Sequence, residues 1–175
     1  MIVREKMEYD VVIIGGGPSG LSTAIKLKQL CKEKNKDISV CILEKGSEIG
    51  SHILSGAVIE TKSISELIPN WKETDIPLKT KAKKDSFLYL TKEKSYKLPT
   101  PPQMNNHGNY IISLGRLCAW LGQYAENLGV EIYPGFAASE ILYNDDGSVL
   151  GVATNDMGIL KDGSKGPNYE PGIEL

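Results

Sequence analysis

The sequence has few of the residues that form metal sites and disulfides, and no charge excess of either sign. Its 175 residues include three cysteines, at positions 31, 41 and 118, and two histidines. The cysteines form no C-x-x-C pair, so we expect packed, reduced thiols and no metal site made by this chain alone. With 20 basic and 22 acidic residues, the net charge is −2. That balance gives no electrostatic reason to bind nucleic acid or an anionic membrane.

Long hydrophobic runs and targeting segments are also missing. The longest largely apolar stretch without a charged residue, 11–25, is interrupted by glycines and a proline, so no spanning helix is predicted. The first ten residues are charged and resemble neither a secretory signal nor a transit peptide. If the protein meets a membrane, we expect it to lie on the surface.

Glycine is in excess, with 18 copies against an average of about 7% of residues. Four glycines lie in one loop, 15–20, after the apolar run 9–14 and before helical periodicity over 21–31. A second apolar run, 38–43, then ends at Glu44. This order predicts a βαβ unit, whose first strand we expect to be buried on both faces.

The loop matches G-x-G-x-x-G at Gly15, Gly17 and Gly20. The first glycine permits a sharp turn, the second lets the backbone approach a pyrophosphate, and the third lets the helix pack closely on the strand. The helix N-terminus then presents free N–H groups and a partial positive charge to the phosphates. Glu44 is placed where a carboxylate accepts the hydroxyls of an adenosine ribose. Dinucleotide binding is therefore predicted.

The residues after Glu44 favour FAD over NAD. No clean strand and helix pair is predicted between 45 and 110. A helix is predicted over 113–128 and a short strand over 130–133, followed by strands over 138–143 and 149–154 around an Asp-Gly turn. An antiparallel hairpin in place of a crossover helix is typical of the FAD-type fold. The predicted fold class is α/β, an FAD-type Rossmann-like parallel sheet with an antiparallel hairpin.

Further motifs extend along nearly the whole chain. They comprise Pro18 in the glycine loop and the stretches 44–57, 66–72, 104–111, 133–138 and 145–156. Asn-Asn-His-Gly-Asn-Tyr at 105–110 and Ala-Thr-Asn-Asp at 153–156 are the most specific of these. With these motifs the sequence resembles the electron transfer flavoprotein:ubiquinone oxidoreductase family.

The resemblance implies an enzyme that moves electrons from reduced electron transfer flavoprotein onto FAD, then to a [4Fe-4S] cluster and to ubiquinone. It also implies peripheral attachment to an inner membrane, either mitochondrial or on the cytoplasmic face of a bacterial membrane. FAD suits this task because it holds one or two electrons. The three scattered cysteines cannot supply the cluster, so its ligands are not expected in this chain. No catalytic residue is assigned, because electron transfer requires no side-chain nucleophile.

The resemblance also implies a set of cofactor-binding residues. Gly15, Gly16, Gly17, Pro18, Ser19 and Gly20 would hold the pyrophosphate, Glu44 and Lys45 the adenosine end, Ser55 and Gly56 would lie near the flavin, Arg116 would contact the phosphates, and the backbone of Ala138 the adenine edge. From the residues alone, a plain turn is the favoured interpretation of Ser55 and Gly56, and a solvated position on an amphipathic helix is the favoured interpretation of Arg116.

The chain departs from the family in two places. The family's segment before the Asn-Asn-His-Gly motif is apolar and dips into the bilayer, whereas 87–103 here is shorter and contains lysines. Two interpretations stay open, an interfacial segment whose lysine stems snorkel and an exposed strand pair with a proline-rich loop. The family also continues beyond the hairpin with the strand that closes its sheet. We therefore expect a sheet incomplete at its C-terminus and an N-terminal fragment that is inactive toward quinone by itself.

The predicted organisation has three parts. Residues 1–8 form an N-terminal extension, 9–160 a partial FAD-binding domain, and 161–175 a loose tail. Within the domain, 60–112 is an inserted segment that faces substrate or membrane. The alternative functions are an FAD-dependent reductase or hydroxylase of the same fold, of the geranylgeranyl reductase kind, and a non-catalytic truncated FAD-binding module.

Overall fold

The computed structural model describes residues 4–175, which form three α-helices, two short 3-10 helices (Trp71–Glu73 and Pro102–Met104) and twelve strands. In chain order these are β1 (Val11–Ile14), α1 (Pro18–Glu33), β2 (Val40–Glu44), β3 (Ala57–Ile59), α2 (Thr61–Leu67), β4 (Thr80–Lys81), β5 (Phe87–Leu90), β6 (Ser95–Leu98), β7 (Tyr110–Ile112), α3 (Leu114–Asn127), β8 (Glu131–Pro134), β9 (Ala138–Tyr143), β10 (Val149–Thr154), β11 (Met157–Ile159) and β12 (Lys165–Glu170).

A parallel sheet in the order β1-β2-β8 forms the centre of the fold. Ile14 lies opposite Leu43 and Glu44 opposite Pro134, so all three strands end at one edge. Burial on both faces was predicted for β1, and that prediction is wrong, since Ile14 is 55% exposed. The buried strand is β2, whose first four residues are buried because it has a strand on each side.

Each face of this sheet is covered by a different layer. Helices α1 and α3 cover one face, where Leu21, Ile25 and Leu121 pack against Ile42 of β2. The antiparallel β9–β10 hairpin lies over the other face, near Leu43. The predicted βαβ unit, the α3 helix, the short strand and the hairpin are present, and the α/β fold class is confirmed. Within residues 4–175, no helix has the length and apolar character to cross a bilayer.

The segment 60–112 contains more structure than its pattern predicted. Strands β3, β7 and β4 form an antiparallel sheet, and α2 follows β3 directly. The expectation of no strand and helix pair before residue 110 is therefore wrong. The three residues of β3 and the seven of α2 are too few for a recognisable period. Instead, β3 is held by its pairing with β7, and the indole N–H of Trp71 donates to the Ser65 hydroxyl of α2 at 3.0 Å.

Residues 161–175 are paired rather than loose, so that expectation is also wrong. Strand β12 pairs with β11, and Leu175 exchanges two backbone hydrogen bonds of 2.8 Å with Val152 of β10. The Asp156 carboxylate accepts bonds from the Gly172 N–H and the Tyr169 hydroxyl, and these bonds lower its pKa. The segment is held by partners distant in sequence, which local composition does not reveal.

The predicted N-terminal extension meets the same segment. Its first three residues lie outside the described part of the chain. The Glu174 N–H donates to Glu5 and the Met7 N–H donates to Glu174, at 2.8 and 2.9 Å. The division into 1–8, 9–160 and 161–175 as separate units stays a prediction.

Substitution Gly151→Val should free the C-terminal segment. A Cβ at this position would collide with the carbonyl oxygen of Leu175. We expect faster amide hydrogen exchange at 173–175 and at Val152, with little change in α1. Substitution Leu150→Ala, at the neighbouring exposed position, is the control and should leave exchange unchanged. Rapid exchange over 173–175 in the unaltered chain would show that the segment is loose after all.

Candidate functional site

Two helix N-termini meet at the edge where the parallel strands end. Helix α1 starts four residues after β1, and α3 runs back toward the start of β8, so both helices begin at this edge. Neither helix has an acidic residue in its first turn, and Gly17, the N-cap of α1, forms no side-chain cap. The unpaired N–H groups and the aligned peptide dipoles therefore make the edge attractive to an anion.

The glycine loop leaves room for such an anion. Gly15 has a φ of +99°, and its N–H donates to the Leu43 carbonyl at 2.8 Å. A Cβ on Gly20 would collide with the carbonyl oxygen of Gly15, so this glycine permits close packing of helix on strand. A Cβ on Gly17 would have no atom within 4 Å and would point into open space. The loop therefore leaves room for a phosphate beside Gly17, and Pro18 and Ser19 follow at the start of the helix.

Glu44 joins the glycine loop to the next loop. Its two carboxylate oxygens accept the N–H groups of Gly16 and Gly46, at 2.8 and 2.7 Å. Gly16 was predicted to hold the pyrophosphate, but its N–H donates to the Glu44 carboxylate. A Cβ at this position would collide with the terminal methyl group of Ile49, so that side chain would have to move. Each carboxylate oxygen retains a second acceptor site, so Glu44 can also accept ribose hydroxyls.

The loop after Glu44 packs against α3 through backbone contacts. A Cβ on Gly50 would come within 2.5 Å of the Gly115 carbonyl oxygen. The two backbone segments therefore touch without side chains between them. This contact places Ser55 beside the start of α3, where its hydroxyl donates to the hydroxyl of Ser113 at 3.1 Å. The sequence did not predict that Ser113, Ile49 and Gly115 contribute to this site. Ser113 precedes the periodic residues of α3 and is a favoured N-cap type, which was the available signal.

The other predicted site residues are distributed around this edge. Arg116 lies in the first turn of α3 and is exposed, and its guanidinium has no hydrogen bond or ion pair with any residue from 4 to 175. Lys45 is exposed directly after β2, whereas Gly56 has a φ of +86° and open space at its Cβ position. Ala138 opens β9 on the other face of the sheet.

Two bonds link the Ala138 region to the glycine-loop side. The Gly135 N–H donates to the Gly46 carbonyl at 2.7 Å, and Gly46 is bonded to Glu44. Ala138 follows Gly135 by three residues and pairs with Thr154 in the hairpin. The structure therefore brings the residues predicted for the adenosine end to one end of the sheet, and it brings Ser55, Gly56 and Arg116 to the start of α3.

The surroundings of the cysteines and of the Asn-Asn-His-Gly motif indicate structural roles. All three cysteines are unpaired and buried, and burial raises the pKa of the Cys118 thiol to about 11. Asp85 accepts the backbone and side-chain N–H groups of Asn106, and these bonds lower the pKa of Asp85. His107 is exposed, with its Nδ1 at 3.3 Å from the Lys83 carbonyl oxygen. This motif fixes a loop rather than forming a nucleophile and base pair.

Comparison with known proteins agrees with this geometry. The NAD(P)-binding Rossmann-like domain family matches residues 13–71, which include the glycine loop and Glu44. A mitochondrial electron transfer flavoprotein-ubiquinone oxidoreductase from Dictyostelium discoideum is 60% identical over 172 residues, covering 98% of this chain and 28% of that protein. A probable electron transfer flavoprotein-ubiquinone oxidoreductase from Acinetobacter baylyi is 56% identical over 179 residues, covering 99% of this chain and 31% of that protein.

Over nearly its whole length the chain is similar to the N-terminal part of electron transfer flavoprotein-ubiquinone oxidoreductases. It spans less than a third of the length of these two relatives. The family resemblance predicted from the sequence is thereby confirmed. The match covers almost every residue of this chain, so it includes the glycine loop, the loop after Glu44, α3 and the hairpin.

Solved structures that are similar to this chain show its fold class. The flavin-dependent halogenase CmlS superimposes with a TM-score of 0.58 at 18% identity, covering 99% of this chain and 28% of that one. A geranylgeranyl bacteriochlorophyll reductase-like protein from Thermoplasma acidophilum has a TM-score of 0.56 at 20% identity, covering 86% of this chain and 35% of that one. At these identities the likeness establishes the architecture, and it confirms the predicted FAD-type Rossmann-like fold.

Removing the Glu44 carboxylate should weaken the glycine loop. Substitution Glu44→Ala leaves two N–H groups without an acceptor, and we expect it to lower the free energy of unfolding by about 2–4 kcal/mol. Substitution Glu44→Gln keeps one acceptor oxygen, so roughly half that loss is expected. Urea unfolding measures both. Substitution Glu48→Gln, at an exposed position in the same loop, is the control. If all three variants were as stable as the unaltered chain, the two hydrogen bonds of Glu44 would contribute little to stability.

Proposed function

We propose that this chain is the FAD-binding part of an enzyme that passes electrons from reduced electron transfer flavoprotein to ubiquinone. One observation carries the proposal: open space beside Gly17 lies at a helix N-terminus that has no competing side-chain cap and no acid in its first turn. The fold class and the names of the relatives support the same cofactor and reaction.

The residues around this edge would bind FAD along its length. Gly15, Gly17, Ser19 and Gly20 would hold the pyrophosphate, with Arg116 adding a full positive charge from the first turn of α3. Glu44 and Lys45 would bind the adenosine end, with the backbone of Ala138 at the adenine. Ser55 and Gly56 would lie beside the flavin. Arg116 fits this role because its guanidinium is exposed and has no partner within residues 4–175.

FAD would supply the redox chemistry, because it holds one or two electrons and therefore connects a one-electron donor to a two-electron quinone product. The chain's own residues would position and shield the cofactor. No cysteine of this chain is assigned to a [4Fe-4S] cluster, since the three thiols lie in α1, β2 and α3 and are buried separately. Cluster ligands, quinone reduction and the docking of the electron transfer flavoprotein belong to the whole enzyme.

Ubiquinone also determines where the enzyme works. Its long isoprenoid tail keeps it in a bilayer, so an enzyme that reduces it must reach the membrane. We therefore propose peripheral association with an inner mitochondrial membrane or with the cytoplasmic face of a bacterial membrane. The part of this chain that would make that contact is the inserted segment 60–112, whose strands β5 and β6 carry exposed apolar side chains.

Substitution Gly17→Val tests the FAD proposal. The purified chain should acquire the visible absorbance of oxidised flavin when it is incubated with FAD and passed through a desalting column. The valine side chain would fill the proposed place of the pyrophosphate, so no flavin should remain with the variant. Because the Cβ direction is empty, the free energy of unfolding should change by less than about 1 kcal/mol.

Substitution Thr23→Val, at an exposed position of α1 six residues beyond Gly17, is the matched control and should retain flavin. Retention by Gly17→Val would contradict the pyrophosphate site. A folded chain that never retains flavin would instead favour the non-catalytic module.

A further inference from the structure

A polar cavity of about 330 Å³ lies between the chain that follows β4 and the Asn-Asn-His-Gly loop. Of residues 4–175, none in the glycine loop, in the loop after Glu44 or in α3 lines it, so it is separate from the proposed FAD site. Its volume is within the range of small-molecule sites in proteins. Six lining residues carry a charge or a hydrogen-bonding side chain: Lys83, Lys84, Asp85, Thr100, Asn105 and His107.

Hydrogen bonds between the two segments hold the walls of this cavity in place. The Asp85 carboxylate accepts the backbone N–H and the side-chain N–H of Asn106, at 2.9 and 3.1 Å. The Ala82 N–H donates to the Asn109 carbonyl at 2.8 Å, and the Gly108 N–H donates to the Ala82 carbonyl at 3.1 Å. Because these bonds join the walls directly, the cavity is formed before a ligand arrives, which lowers the cost of binding.

The charged groups at the cavity give it a positive excess. Asp85 is half-buried, and the hydrogen bonds from Asn106 lower the pKa of its carboxyl group. Lys83 and Lys84 are exposed, and their ammonium groups form no ion pair with any residue from 4 to 175. When His107 is protonated, three positive charges face one carboxylate. A ligand with two negative charges would neutralise the cavity.

His107 can present one ring nitrogen to such a ligand. Its Nδ1 lies 3.3 Å from the Lys83 carbonyl oxygen, which can only accept, so Nδ1 carries the proton in that contact. Nε2 is then left for a ligand, and it donates to an anion when the imidazole is protonated. The backbone N–H of His107 donates to the Asn105 side-chain oxygen at 3.0 Å, which fixes the loop around the ring.

We propose that this cavity binds the phosphate group of a small phosphomonoester through Lys83, Lys84 and His107, with the Thr100 hydroxyl as a further donor. A phosphomonoester carries a charge of about −1.5 to −2 near pH 7, which matches the positive excess. A phosphodiester carries a single negative charge and matches it less well. The rest of the cavity would accommodate the organic part of the ligand. The inference does not depend on the proposed function.

Titration of the full 175-residue chain with inorganic phosphate, without flavin, tests this proposal. The amide NMR resonances are followed residue by residue, and we expect saturable shifts at 82–85 and 100–108. Phosphate also fits the glycine loop, so the titration is repeated with Gly17→Val. That variant should lose any shifts at 15–20 and keep those of the cavity, so the two sites are tested separately. Absent or unsaturable shifts at 82–85 and 100–108 would overturn the proposal.

The substitutions Lys83→Gln and Lys84→Gln, made together, should raise the dissociation constant for phosphate about twentyfold. The estimate is about fivefold for each lysine, from the attraction of two charges at contact distance in water. Lys92→Gln with Lys94→Gln is the matched control, because it removes the same charge from the exposed turn between β5 and β6. It should leave the dissociation constant nearly unchanged. Equal losses in the two double variants would indicate general attraction to positive charge and refute the site.

Substitution Asp85→Ala distinguishes a formed cavity from a patch of lysines. It removes a negative charge, so a patch would bind phosphate more tightly. It also removes the acceptor of both Asn106 bonds, which join the walls, so we expect binding to be several-fold weaker. Unchanged amide resonances in α1 and β2 would show that the variant is folded. Tighter binding by a folded variant would overturn the proposal.

Two further ligands identify the class of phosphate. Glycerol 3-phosphate should bind several-fold more tightly than dimethyl phosphate, because the monoester has the greater charge. Equal binding would refute the monoester assignment and indicate a phosphodiester, such as a phospholipid headgroup.

Sulfate tests the contribution of His107, since it remains a dianion when the pH changes. It should bind more tightly at about pH 6 than at about pH 8, because the imidazole loses its proton over this range. The charged groups that line the cavity with His107 are Asp85, Lys83 and Lys84. Asp85 stays ionised in this range, since its pKa is lowered. His107→Gln should abolish the pH difference, and a difference that persists in this variant would show that His107 does not bind the anion.

Discussion

Parallel pairing of β1, β2 and β8 is the constraint on which the rest of this structure depends. Parallel neighbours cannot be joined by tight turns, so the chain must return along the sheet between them, and α1 and α3 make those returns. A helix that returns antiparallel to the strands begins where a strand ends. The positive ends of two helices, the glycine loop and the Glu44 carboxylate therefore meet at one edge without any special attraction between them.

Glu44 shows how this edge becomes a defined site. A carboxylate at the end of the central strand accepts N–H groups from the loop before α1 and from its own loop. It orders backbone that would otherwise be free, and it retains acceptor sites toward solvent. The same residue thus acts within the fold and is available to a ligand, and sequence spacing predicts only the second role.

Features specified by neighbouring residues could be predicted from the sequence. The β1, α1 and β2 order, the α3 helix ending before Gly129 and the β9–β10 hairpin all depend on local periodicity, glycine and turn chemistry. Features specified by distant partners could not. The exposure of Ile14 follows from the order of strands, and the pairing of Leu175 with Val152 follows from where the hairpin lies. In the site, spacing predicted Gly17 and Glu44, whereas the contact of Gly50 with Gly115 depends on two segments far apart in sequence.

The contact between Glu5, Met7 and Glu174 has a consequence for synthesis on the ribosome. These residues hydrogen-bond across almost the whole length of the chain. During translation residues 5–7 emerge long before residue 174, so the bonds between them cannot form until that residue has been added. Closing so long a loop is slow compared with local folding. The central βαβ unit can therefore collapse during elongation, while the layer on the other face of the sheet waits until residue 174 has left the exit tunnel.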